Sequence, residues 1–384
     1  MAAANPYSFG GPVAGAAFTG RRRELARLVA WVRGGVNVVL TSPRRYGKTS
    51  LLGRAEEVLG RAKPRAAIVG TNVLLCRDLD ALAGRLAAGA YRIPGARWHR
   101  STQALTEFTR RLRLRPRISI DDEGRPSFAF GDLGPKDADV VIEDVYALLD
   151  DERGNRPVAL VLDEFQAITR HGAHLPDLFK GLADAHPAVS LVLAGSQQHL
   201  MEELVFSRRA PLYGMAERLA LGPIPDDEMA DFLTSSAATA GRPMDAAAAG
   251  RVLALAGPVP NDIQRLAWSA YNLATGGITE EVVDDAFADG VRHESNVFAD
   301  RLAALTPAQA RVLMSIAVAD DVAIFSATFA RGAGLASGAS VKRAIEALTA
   351  QELVVRDGRR FRVVDPYFAA WLRWAQTLPP PAEP

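Results

Sequence analysis

Thr41-Ser42-Pro43-Arg44-Arg45-Tyr46-Gly47-Lys48-Thr49-Ser50 follows directly on the apolar run Val36 to Leu40, and its reading decides the fold. A strand that empties into a loop and then a helix surrounds an anion with backbone N–H groups and the positive end of the helix. The spacing matches GxxxxGK[ST], a phosphate-binding loop. Lys48 brings a point charge to the β- and γ-phosphates of a nucleotide, and the Thr49 hydroxyl is a ligand for Mg2+. Candidate nucleotide-contacting residues are therefore Ser42, Pro43, Arg44, Arg45, Tyr46, Gly47, Lys48, Thr49 and Ser50. Ser42 stands where the pattern has its first glycine, so a non-glycine residue is expected to take the turn that opens the loop. A surface loop that merely spells Gly-Lys-Thr is the alternative. The apolar strand before it and Leu51-Leu52 after it argue against that.

Two further apolar runs end in polar residues. Val158-Ala159-Leu160-Val161-Leu162 delivers Asp163 and Glu164 to the end of a buried strand, the edge of an open α/β sheet where ligands bind. Asp163 is read as holding Mg2+ through a bound water, and Glu164 as the general base that polarises the attacking water. Simple solvation of a strand end is the competing reading. Val189 to Ala194 repeats the pattern and exits at Gly195-Ser196-Gln197. Ser196, with Gln197 beside it, is placed to hydrogen-bond the γ-phosphate or the water, or to cap the following helix. Ala66 to Val73 adds another β-prone run, which predicts a parallel sheet covered on both faces.

Around these strands the periodicity is helical. Residues 1–17 read as an extended arm, rich in Pro, Gly and Ala, and Arg23 to Trp31 as a helix. Helices are expected over Ser50 to Leu59, Asp78 to Ala90 and Asp137 to Leu149. Arg97 to Arg117 is strongly basic, with arginines at 110, 111, 113, 115 and 117. It reads either as a contact for nucleic acid or a partner, or as an amphipathic surface helix that buries Leu112 and Leu114. Ile118 to Phe130 alternates about an acidic Gly-containing turn and predicts a β-hairpin. Arg208, Arg209 and Arg218 flank Pro211-Leu212-Tyr213-Gly214-Met215 and offer guanidinium groups to a phosphate in cis or across a subunit boundary.

From Leu221-Gly222-Pro223 onward the pattern is helical alone, over about 226–240, 245–256, 260–275 and 279–290. This predicts a helical lid in which Arg265 is either a second nucleotide sensor or a surface arginine. Thr306 and Pro307 start a last module of helices over 307–318, 326–332 and 338–350, followed by two alternating strands about Asp357-Gly358. That order is a winged helix-turn-helix. The expected division is therefore residues 1–222 for the core, 223–298 for the lid, and 299–384 for the winged helix and a disordered tail from Pro379. Residues 305–375 carry nine basic and six acidic side chains, so the module is mildly positive. Lys342 and Arg343 on its third helix and Arg359 and Arg360 on its wing are the candidate DNA contacts, and packing on a partner protein or on the chain's own core is the alternative.

Composition narrows the remaining choices. With 45 Lys+Arg against 44 Asp+Glu the formal charge is +1, so no global field draws the protein to nucleic acid or to a membrane. The single Cys76 excludes an internal disulfide and suits a reducing compartment. No apolar run approaches the roughly 20 residues that span a bilayer, and no signal peptide is legible, so a cytoplasmic location without membrane contact is expected.

The chain resembles the AAA+-type P-loop ATPases, and among them the archaeal-type ATPases related to replication initiators and to the signalling ATPases of the STAND group. The resemblance spans roughly residues 5–375 and rests on Phe18-Thr19-Gly20-Arg21, Pro43 to Leu52, Leu162-Asp163-Glu164-Phe165-Gln166, Ala194-Gly195-Ser196 and Pro211 to Gly214. It implies ATP and Mg2+ binding, a lid and a C-terminal winged helix. The chain departs from relatives at Ser42 and at Met215, where they often carry an arginine. The function expected is a Mg2+-dependent ATPase that switches a DNA- or protein-binding winged helix, with nucleotide-dependent homo-oligomerisation compatible. A non-hydrolysing or very slow nucleotide-binding scaffold, or a transcription-factor-like DNA-binding protein, is the alternative.

Overall fold

The computed structural model describes residues 4–377 except 101, 132, 155, 197, 319–323 and 359. The expectations for Gln197, Arg359 and the tail lie outside these residues. Contacts divide the chain into two compact units, Pro12–Ile224 and Met1–Gly11 with Pro225–Pro384.

The first unit contains β1 (Val38–Thr41), β2 (Ala67–Asn72), β3 (Arg117–Ile120), β4 (Pro126–Ala129), β5 (Val158–Asp163), β6 (Val189–Gly195) and β7 (Glu217–Ala220). Five of them form one sheet in the order β2-β5-β6-β1-β7, with every neighbouring pair parallel. Its helices are α1 (Arg22–Arg33), α2 (Lys48–Arg61), α3 (Leu79–Tyr91), α4 (Ala104–Arg110), α5 (Pro135–Glu152), α6 (Leu175–Ala185) and the short α7 (Gln198–Met201). β1, β5 and β6 are apolar almost throughout because the sheet is covered on both faces there. Val38, Leu40, Val192 and Leu219 pack with Leu28 of α1 and Leu51, Ala55 and Leu59 of α2. Val39, Val69, Leu160 and Leu193 point the other way, into a larger core with Leu86 of α3, Val145 of α5 and Phe179 of α6. Each such side chain stabilises the fold by about 1.5–3 kcal/mol relative to exposure. In this register Thr41 lies beside Gly195, and Leu162 beside Leu193, so the polar exits of β1, β5 and β6 share one edge of the sheet.

One expectation in this unit needs correction. The basic stretch 97–117 is not one helix: a 3-10 turn (Arg97–Arg100) and α4 are followed by irregular chain up to β3. Two of its arginines are drawn to acids, chiefly those of α5. Arg113 donates to Asp144 at 2.6 Å and to Glu143 at 2.7 Å, and Arg111 lies 3.7 Å from both Glu107 and Asp151. Leu112 is buried, as expected. Arg218, read as flanking Pro211 to Met215, lies in β7, and its guanidinium sits 4.2 Å from the centre of the Phe206 ring. The hairpin formed as expected, with Ile118 opposite Phe128.

The second unit contains α8 (Asp226–Thr239), α9 (Ala246–Ala256), α10 (Pro260–Leu273), α11 (Glu280–His293), α12 (Ser295–Ala303), α13 (Pro307–Val318), α14 (Ala327–Gly332), α15 (Gly338–Ala350), the antiparallel pair β8 (Val354–Asp357) and β9 (Arg360–Val363), and α16 (Pro366–Thr377). Asp245, Thr279, Ser326 and Ser337 cap α9, α11, α14 and α15 through their side chains. The winged-helix order appears as read. α16 is an addition, started by Asp365 Oδ1, which accepts the N–H groups of Tyr367 and Phe368. The arm, read as extended without an element, is irregular from residue 4 up to a 3-10 turn at Gly15–Ala17, and its first described part docks on this unit: Tyr7 is buried with its hydroxyl on Leu233 O at 2.7 Å, and Asn5 donates to Trp268 O and Asn272 Oδ1. Among the described residues no helix is long and apolar enough to cross a membrane.

Candidate nucleotide site

The loop after β1 takes its shape from two left-handed residues, Arg45 at φ 67° and Gly47 at φ 85°. Gly47 begins α2 and accepts the Leu51 N–H at 2.9 Å. The conformation is cheap for glycine and costly for most other residues. Ser42, expected to need such a turn, does not adopt one: it follows directly on β1, with its N–H on Gly195 O at 3.4 Å. The first loop glycine of the pattern is dispensable here because the left-handed turn falls three residues later. The loop is also tied from outside. Arg21, itself left-handed and 5% exposed, donates to Tyr46 O at 3.1 Å and to Gly222 O at 2.6 Å, with Glu24 3.1 Å from its other terminal nitrogen.

Five of the residues read from sequence converge at the shared strand edge. The Lys48 ammonium meets Asp163 Oδ1 and lies 3.0 Å from Glu164 Oε1. The Thr49 hydroxyl donates to Asp163 Oδ2 at 2.8 Å. Ser196 Oγ donates to Glu164 Oε2 at 2.9 Å, so it is engaged with the acid. Lys48 and Asp163 are buried, and Glu164 takes a left-handed backbone at φ 52°. Burial alone would raise the Glu164 carboxyl. The Lys48 charge and hydrogen bonds from Gln166, Lys48 and Ser196 outweigh it and hold the group below its ordinary value.

The other candidates are placed differently. Ser50 is buried and its hydroxyl accepts the Val13 N–H at 2.9 Å, so this side chain serves the arm. Tyr46 is buried, while Arg44 and Arg45 are exposed. Arg208 and Arg209 are exposed, and Met215 packs against the larger core. Arg265 belongs to the second unit, where it pairs with Glu294 and stacks 4.1 Å from the centre of the Tyr367 ring. A solvated surface arginine does not describe it. Lys342 and Arg343 are exposed on α15, with Glu346 3.9 Å from Lys342, and Arg360 is exposed on β9. Gln166, quoted within a motif but given no role, donates from Nε2 to Glu164 Oε2 at 2.5 Å. Nothing in periodicity marks it, and only its position two residues after the acid could have.

The arrangement suits a nucleotide triphosphate with Mg2+. A hydroxyl and a carboxylate side by side are the hard oxygen donors that Mg2+ takes, usually in small number. At the mouth of the loop the buried hydroxyls of Thr41 and Ser42 have no hydrogen-bond partner among the described residues, and the buried Lys48 is a cation of the kind that phosphate pairs with.

Comparison with known proteins agrees with this geometry. Residues 296–374 match the family model of a probable winged helix domain. No curated protein sequence matches the chain. Among solved structures the chain is similar to the Walker-type ATPase of Pyrococcus abyssi, at 17% identity and TM-score 0.64, over 93% of this chain and 96% of that one. It is also similar to the ORC2 protein of Aeropyrum pernix in its ADPNP–ADP complexes, at 15% identity and TM-score 0.53, over 93% and 94% of the two chains. At these identities the likeness speaks for the fold: the chain has the architecture of a Walker-type P-loop ATPase and ends in a winged helix domain.

Proposed function

We propose that the protein binds ATP with Mg2+ and hydrolyses it, and that nucleotide state controls what its winged helix contacts. The observation that carries this reading is the convergence of Lys48, Thr49, Asp163, Glu164 and Ser196 from three separate parts of the chain onto one sheet edge. Phosphoryl transfer asks of a protein positioning and charge stabilisation rather than covalent chemistry. Lys48 and the loop N–H groups hold the phosphates, and Glu164 takes a proton from the attacking water. When bound, Mg2+ neutralises charge on the phosphate oxygens, held by Thr49 and Asp163. The Aeropyrum ORC2 protein of like fold was solved in complexes with ADPNP and ADP, which favours an adenine nucleotide. Lys342, Arg343 and Arg360 are exposed charges of the winged helix, suited to double-stranded DNA or to an acidic partner.

Steady-state phosphate release from Mg-ATP tests the reading. Glu164→Gln is expected to lower kcat by about 100-fold or more while nucleotide affinity is kept. Release that is unchanged in that variant would sink the catalytic assignment. One observation favours the slow-scaffold alternative: Lys48 is engaged by both acids and must leave them to meet phosphate. Tight ATP binding without release above background is the outcome expected for a scaffold.

A further inference from the structure

The geometry points to Gln166 as a positioning residue that pins one oxygen of Glu164, leaving the other to receive the proton of the attacking water. This inference rests on the ATPase reading above. Gln166 lies in the 3-10 turn Phe165–Arg170 and is 8% exposed. Its Nε2 donates to Glu164 Oε2 at 2.5 Å, and Ser196 Oγ donates to the same oxygen at 2.9 Å. Chemistry fixes which way the amide points, because the reverse orientation would set a carbonyl oxygen against a carboxylate oxygen. The cost falls on the other end. Gln166 Oε1 has no hydrogen-bond partner among the described residues and faces Gly195 and Met201. A Cβ on Gly195 would stand 2.7 Å from it and 2.5 Å from the Met201 sulfur, so a side chain there would displace the amide or Met201 from these positions.

A buried acceptor without a partner destabilises a fold, and an apolar side chain of the same length would fill the place without that cost. Stability therefore does not account for a glutamine here, whereas its donation to Glu164 does. The two carboxylate oxygens are held by different groups. Oε2 is fixed by Gln166 and Ser196, while Oε1 meets only Lys48 among the described hydrogen bonds, at 3.0 Å. Lys48 is also the phosphate cation, so substrate draws it away and releases Oε1. Water then forms its bond to the γ-phosphorus as the bond from that phosphorus to the bridging oxygen breaks. The electron pair stays on ADP, and the water proton passes to Oε1.

Gln166→Met and Gln166→Asn test this beside the wild type and Glu164→Gln. The first removes the donor at equal length, and the second keeps an amide that is too short to reach. Steady-state kinetics with Mg-ATP, affinity for a non-hydrolysable ATP analogue and melting temperature are measured for each. Both substitutions are expected to lower kcat by about 10- to 100-fold, the scale of a misplaced catalytic group, with KM and analogue affinity within about twofold. Gln166→Met is expected to melt no lower than the wild type. A kcat within about twofold of wild type in both variants, with Glu164→Gln inactive, overturns the inference and leaves the ATPase reading standing. So does a loss of kcat matched by equal losses of affinity and melting temperature. Wild-type release no greater than that of Glu164→Gln removes the ATPase reading and this inference with it.

Discussion

At the edge of the core sheet Lys48 is buried and meets two carboxylates, whereas on α15 Lys342 stands in solvent with Glu346 3.9 Å away. The same contrast separates two arginines. Arg113, in the basic run of the core, is held by Asp144 and Glu143, while Arg343 is exposed on α15. Charges of the first kind belong to the protein's own architecture, and those of the second are available to something outside it. The difference lies in what the fold sets opposite each side chain. A cluster of basic residues in the sequence is therefore ambiguous until the acids facing it are known.

The sharpest way to break this contrast is to remove one cation from each region. Lys48→Ala is expected to lower the stability of the nucleotide-free protein by about 3 kcal/mol, because the buried Asp163 and the half-buried Glu164 are left as neighbouring charges without their partner. Lys342→Ala is expected to change it by less than about 0.5 kcal/mol. Urea unfolding measures both, and equal effects would erase the distinction. Acidity sharpens it further. The Glu164 carboxyl is held below its ordinary value in the fold, with the Lys48 charge opposing the effect of burial. Its contribution is therefore present above the ordinary carboxylate range and is lost as pH falls through the lowered value. The gap between wild type and Lys48→Ala should be widest near neutrality and should narrow as pH falls below the ordinary carboxylate range.

Arg113 is an intermediate case. Its side chain is 53% exposed, yet Asp144 beside it is 8% exposed and accepts both the Arg113 N–H and its Nε. Arg113→Ala keeps the backbone bond and removes the charged one, so a cost of about 1–2 kcal/mol is expected after allowing for exposure. A thermal melt checks it. An unchanged melting temperature would return this basic run to the class of solvated surface charges.

The readable parts of the chain were those in which one physical cause dominates. β1, β5 and β6 are wholly or almost wholly buried, so their apolar runs and polar exits stand out, and the site residues at those exits follow from them. β7 did not stand out because only Leu219 of its four residues is buried, and one apolar residue makes no pattern. α16 carried a signal, Asp365 before Pro366, that followed the expected wing too closely to be separated from it. The irregular chain after α4 defeated the periodicity because its conformation answers to acids on α5, far along the sequence. Gln166 and Arg21 make their hydrogen bonds to groups that only the folded chain brings near, so their identity in sequence says nothing of their reach.

The exposed end of the comparison has the smallest effect on stability and the most to say about a partner. α15 is capped by Ser337 and buries Val341, Ala344, Ile345 and Leu348, so Lys342 and Arg343 project from the face opposite its packing. Substituting both by alanine leaves that apolar face intact, and the melting temperature should stay within about 1 °C of wild type. If the winged helix meets duplex DNA, each lost phosphate contact lowers the slope of log affinity against log salt by about one, and does so whatever the DNA sequence. Fluorescence anisotropy with an arbitrary duplex at several salt concentrations reads this directly. A slope that falls by about two in the double variant places both side chains on phosphate. A slope that is unchanged, or no binding at low salt by the wild type, removes DNA from this face and leaves an acidic protein surface as the partner that two exposed cations on one helix suit.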